Sequence, residues 1–149
     1  VNAPRETPSG ANARGTTGAA TESVHREYIL GVRITEVPSP GGPRYRFEAP
    51  EHRGIAFDDP EAAELYADVY FDVNGFAEEG TGTRGVPPEI VQAGRDTLAA
   101  YFLTRPETDV NWVASFYGVR RSRVERYVAW VRERAEEIRT GAVEEYGME

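Results

Sequence analysis

The chain of 149 residues is predicted to be an α+β protein. An N-terminal β-hairpin, with a third short strand as its extension, and one helix precede a C-terminal helical module. Three observations point there. Two β-rich runs, residues 28–37 and 44–47, flank the cluster Pro38-Ser39-Pro40-Gly41-Gly42-Pro43, a dense turn signal. Acidic-proline helix starts follow at Asp59-Pro60-Glu61 and Pro87-Pro88-Glu89. From residue 87 onward the apolar residues recur at helical spacing. The length allows one domain, or two small ones, with a sizeable core.

Residues 1–23 hold no aromatic residue and no Leu, Ile or Phe. They cannot bury enough apolar area to offset ordering entropy, so a disordered tail is expected there. Residues 24–76 form the hairpin-plus-helix segment. Its first strand is read over residues 28–37 (YILGVRITEV), with Gly31 marking a bulge or a close approach. Alternation in RYRF (44–47) puts Tyr45 and Phe47 on one face, and GIAF (54–57) supplies the third strand. Asp59 is the expected N-cap of the helix, with Pro60 at its first position. Leu65, Val69 and Val73 form its stripe, Tyr66 and Tyr70 widen it, and Asn74-Gly75 stops it. Residues 77–86 (AEEGTGTRGV) are read as a link. In residues 87–149 one helix is expected from Pro87 to before Pro106, with Ile90, Val91, Gly94, Leu98, Tyr101 and Phe102 on its core side. Thr108 or Asp109 caps a second, residues 110–117. A long third helix runs from Arg120 to about Val143. Trp130, Val131 and Ile138 extend its apolar stripe, so its far half must bury against the hairpin segment or a partner subunit.

Every basic residue among the 17 is arginine; there is no lysine and no cysteine, and the net charge is −8. Acidic surfaces stay hydrated at molar salt, where the screening length falls to about 3 Å. Such a composition suggests a salt-loving, haloarchaeal source, with GC-rich codon usage in an actinobacterium as the alternative. Absent cysteine excludes disulfides, thiolate nucleophiles and cysteine-ligated zinc. His25 and His52, the only histidines, lie far apart in the sequence, so no metal site is expected. No apolar run reaches about 18 residues and no signal peptide opens the chain, which points to a soluble, cytoplasmic protein without membrane contact.

The most informative stretch is residues 110–129 (VNWVASFYGVRRSRVERYVA). Ala114 is small enough for two helices to cross closely, and Gly118, four residues on, suits a turn of positive φ. Val113, Val119, Val124 and Val128 can bury together while Arg120, Arg121, Ser122, Arg123 and Arg126 stay outside. Residues 118–140 carry seven arginines against four glutamates, a net +3, while the remainder of the chain stands at −11. The stretch resembles the DNA-binding helix-turn-helix of bacterial and archaeal regulators. That resemblance implies double-stranded DNA as partner, a homodimer as the assembly, and the start of the last helix in the major groove. It also implies Arg120, Arg121 and Arg123 on bases and phosphates, Asn111 and Ser122 as hydrogen-bonding groups, and Arg126 on a phosphate. Trp112, Phe116 and Tyr117 are read as packing residues. The alternative is a protein-interaction or assembly component, of a virus or a complex, that uses the long helix around Tyr127–Trp130.

Catalytic patterns are weak. Asp58 and Asp59 beside Pro60 fit capping, Ser115 and Ser122 lack a neighbouring His, and His52 (EAPEHRGIAF) is read as a solvated surface residue. Residues 72–75 (DVNG) resemble part of a calcium loop, but the first and last ligand positions fall on Tyr70 and Thr81. Gly80, Gly82 and Gly85 have no Gly-Lys-Ser/Thr after them to bind phosphate. No enzyme and no cofactor are expected. Residues 47–79, with ten acidic residues against Arg53, are read as a solvated acidic face.

Overall fold

A computed structural model describes residues 21–77 and 86–146. Most of the expected tail and most of the expected link, with Gly80, Gly82 and Gly85, lie outside the described residues. Among the described residues four antiparallel strands come first, each paired with the next in sequence: β1 (Ser23–Glu27), β2 (Arg33–Val37), β3 (Arg44–Ala49) and β4 (His52–Phe57). Five helices follow among the same residues: α1 (Pro60–Asp72), α2 (Pro88–Ala93), α3 (Arg95–Leu103), α4 (Val110–Tyr117) and α5 (Arg121–Tyr146). The molecule is α+β, as its sequence implies.

The hairpin is larger than expected. Residues 28–37 are not one strand: Leu30 (φ 61°) and Gly31 (φ 75°) turn the chain between β1 and β2. Two successive positive φ values match the right-handed twist of a hairpin. A leucine in such a turn is costly, and Leu-Gly is a weak sequence signal for it. The end of the expected tail is instead structured: Ser23 opens β1 and Glu22 pairs with Arg46 at 2.8 Å. The β3–β4 turn is Pro50-Glu51, with Glu51 at φ 61°. His52 therefore begins a strand rather than sitting in a solvated turn. It is buried, hydrogen-bonded through Nε2 with the Tyr66 hydroxyl at 3.0 Å, and edge-on to Phe47.

One helix lies at the centre. α1 packs against β3 and β4 on one side and α3 and α5 on the other, so Ala63, Leu65, Tyr66, Ala67, Asp68, Val69 and Phe71 are all buried. A helix buried on several sides needs apolar or small residues nearly all round. The main core joins Ile34 and Phe47 of the sheet, Tyr66 and Val69 of α1, Ile90, Tyr101 and the α5 residues Val131 and Ala135. A smaller core, Ala99, Val113, Ala114, Val124 and Tyr127, holds α3, α4 and α5 together, with Val119 packed on its edge. Val128 was expected beside Val113 and Val124; it packs on the main core instead. Gly94 does not face a core. With φ 124° it breaks the expected Pro87 helix into α2 and α3.

Candidate nucleic-acid interface

The arginine-bearing end of α5 is positioned by α4 and the three residues between them. Asp109 caps α4, its side chain accepting from the Trp112 amide at 2.8 Å. Thr108 is engaged elsewhere, donating to the carbonyls of Phe102 and Arg105 behind α3. At the other end Gly118 is left-handed (φ 66°, ψ 38°) and the Val119 amide donates to the Ala114 carbonyl at 2.9 Å. A Cβ on Gly118 would meet nothing within 4 Å, so the backbone angle alone requires glycine. The Arg120 carbonyl then accepts from the amides of Arg123 and Val124, starting α5.

Arg120, Arg121, Ser122, Arg123 and Arg126 are all exposed, and a shallow groove is lined by Val119, Arg120, Ser122, Arg123 and Arg126. None of these four arginine side chains has an acidic partner among the described residues. Asn111 is exposed too, but it lies near the start of α4, about 9 Å along the helix from Tyr117, and does not line the groove.

Further along α5 the arginines behave differently. Arg132 Nη1 and Arg139 Nη1 donate to the two carboxylate oxygens of Asp68 at 2.8 and 2.9 Å. Arg134 makes a two-pronged contact with Asp72 (2.8 and 3.0 Å) and reaches Asp96 at 2.9 Å. Thr97 Oγ1 completes this cluster, donating to Asp72 at 2.7 Å. These pairs raise Arg134 further above its ordinary value, led by the Asp72 hydrogen bonds. Burial pushes the Asp68 carboxyl up, against the pull of Arg139 and Arg132. Asp68 and Asp72 are therefore not part of a solvated acidic face. They are buried counterions for α5, and they account for where the long helix goes: its far half covers α1.

An aromatic surface that the sequence pattern does not announce lies beside this end. Trp112 and Phe116, read from the sequence as packing residues, do pack edge-on to Phe102, but they are also stacked on each other (5.2 Å, 8° between planes) and stand 42% and 58% exposed. Their i, i+4 spacing puts them on one outward face of α4, opposite the buried Ala114. Tyr117 is half-buried, edge-on to Tyr127 of α5. Among the described residues no group of His, Cys, Asp and Glu could hold a metal ion, and no helix is long and apolar enough to cross a membrane. No protein-family model, no curated protein and no solved structure matches the chain.

Proposed function

We propose that this protein is a non-enzymatic, sequence-reading DNA-binding protein of the cytoplasm, a transcriptional regulator that binds as a homodimer. Its α4–turn–α5 unit is a helix-turn-helix that lays the start of α5 in the major groove. One observation carries this reading: the arginines of α5 divide into two sets. Arg132, Arg134 and Arg139 are neutralised by Asp68, Asp72 and Asp96, whereas Arg120, Arg121, Arg123 and Arg126 are exposed without acidic partners. In a chain of net charge −8 that leaves a local cationic edge on a rigid helix end, which suits a polyanion.

Pull-down of fragmented genomic DNA, in buffer matching the salt of the source cell, tests the reading and yields a binding site. On that site Arg121→Ala or Arg123→Ala should cost on the order of 1–3 kcal/mol and relax sequence preference, as loss of a guanine contact does. Unchanged binding after replacement of Arg120, Arg121 and Arg123 together would remove the regulator reading. The exposed Trp112–Phe116 pair favours what would then replace it, a protein-assembly role in which α4 and the Tyr127–Trp130 region of α5 meet a partner.

A further inference from the structure

The cationic edge does not stop at α5. Arg95, the first residue of α3, is exposed and has no acidic partner among the described residues. Its guanidinium lies over the ring of Tyr117, 5.1 Å from the centroid. The Tyr117 ring in turn meets Tyr127, which follows Arg126 directly and lies one helical turn after Arg123. Arg95 is thus held beside the α4–α5 turn: Tyr117 ends α4 three residues before Arg120. A guanidinium held over a ring by cation–π attraction spends none of its N–H groups on an acceptor there, so they remain to donate, as a phosphate requires of arginine.

We propose that Arg95 is a phosphate-binding residue that carries the nucleic-acid interface from α5 onto α3, with Tyr117 as the platform holding its side chain. The proposal rests on the DNA reading above. Its assignment to phosphate rather than base follows from position, because Arg95 belongs to α3 and not to the α5 end that would read the groove. The Tyr117 hydroxyl is buried without a hydrogen-bond partner among the described residues, so the ring and not the hydroxyl does the holding. Arg105 gives a contrasting control, because its Nη1 donates to the Tyr101 hydroxyl at 2.9 Å. It sits over the Tyr101 ring at 5.4 Å, but at the opposite end of α3, in a pocket shared with Arg44 and Asp58 of the sheet side.

The experiment measures binding of the full chain to a random-sequence DNA duplex over a series of KCl concentrations below molar. Circular dichroism and thermal unfolding confirm that each variant is folded. Arg95→Ala should weaken binding at every salt and make the slope of log K against log salt shallower by about 0.9, the signature of one lost phosphate contact. Tyr117→Phe should bind as the natural chain does, Tyr117→Leu should lose part of the Arg95 effect, and Arg105→Ala should change nothing. If Arg95→Ala behaves as Arg105→Ala does while the natural chain binds, the Arg95 assignment is wrong and the DNA reading stands. If the natural chain binds no duplex at any salt, and retrieves no site from genomic DNA, both fall.

Discussion

Tyr28 sits at the end of β1 where the chain turns towards β2, and its surroundings fix an alkaline limit on stability. Its ring packs on Phe71 and lies under the guanidinium groups of Arg26 and Arg139, while its hydroxyl is buried with no hydrogen-bond partner among the described residues. Burial pushes the hydroxyl up from 10.0 to about 12, with Arg26 and Arg139 pulling it down and Asp68 pushing it further up. The folded chain therefore holds this proton more tightly than the unfolded chain. The resulting stability is present in full below pH 10 and is lost as pH rises towards 12. Allowing for water around the partly open ring, the loss is roughly 1–2 kcal/mol. Tyr28→Phe keeps the ring and removes the proton. Urea unfolding of the two chains should give a constant difference up to pH 10, then a gain for Tyr28→Phe as the natural chain weakens. Parallel curves to pH 12 would show that Tyr28 does not set this limit.

At the scale of elements, the α4–α5 turn depends on one backbone angle. Because a Cβ at Gly118 has free space, substitution there reports left-handed strain and nothing else. Gly118→Ala should lower stability by about 1–2 kcal/mol, and Gly118→Val by more, since a branched Cβ narrows the allowed region further. Gly118→Asn should be milder than either, because asparagine tolerates this conformation. Thermal unfolding ranks the three. Equal losses for Asn and Val would mean that the turn relaxes and that glycine is not required by its angle. The far half of α5 is fixed by different physics. Its tie to α1 combines buried Val131 and Ala135 with carboxylates that burial would otherwise penalise, so the arginines there are structural counterions.

For the whole molecule, charge and salt act together. With 25 acidic residues against 17 basic ones, the surface repels itself when screening is weak. The melting temperature should rise as KCl increases towards molar; a flat curve would assign the composition to codon usage instead. If the chain binds DNA as proposed, the same salt constrains that binding, because counterion release contributes little once the bulk already holds many cations. Affinity at molar salt would then have to come from base-edge hydrogen bonds and shape fit at the start of α5.

The two kinds of arginine show where sequence reasoning reaches and where it stops. The α+β class, the helix opened by Asp59-Pro60, the capped α4 and the Ala114–Gly118 turn were legible, because caps, prolines and left-handed glycines act within a few residues of chain. The exposure of Arg120, Arg121, Ser122, Arg123 and Arg126 was legible to the same extent, because they surround a helix start whose apolar position, Val124, is the one that turns inward. Other features were out of reach. His52 is buried because the Pro50-Glu51 turn starts a strand at that residue, and Leu30 turns the chain with a residue that rarely does so. Asp68 and Asp72 look like any solvated acidic residues until α5, more than 60 positions later, lays Arg132, Arg134 and Arg139 across them. Local sequence determined where helices begin and which of their faces are basic. Tertiary structure decided which of those charges are neutralised, because pairing depends on the burial and distance that only long-range packing creates.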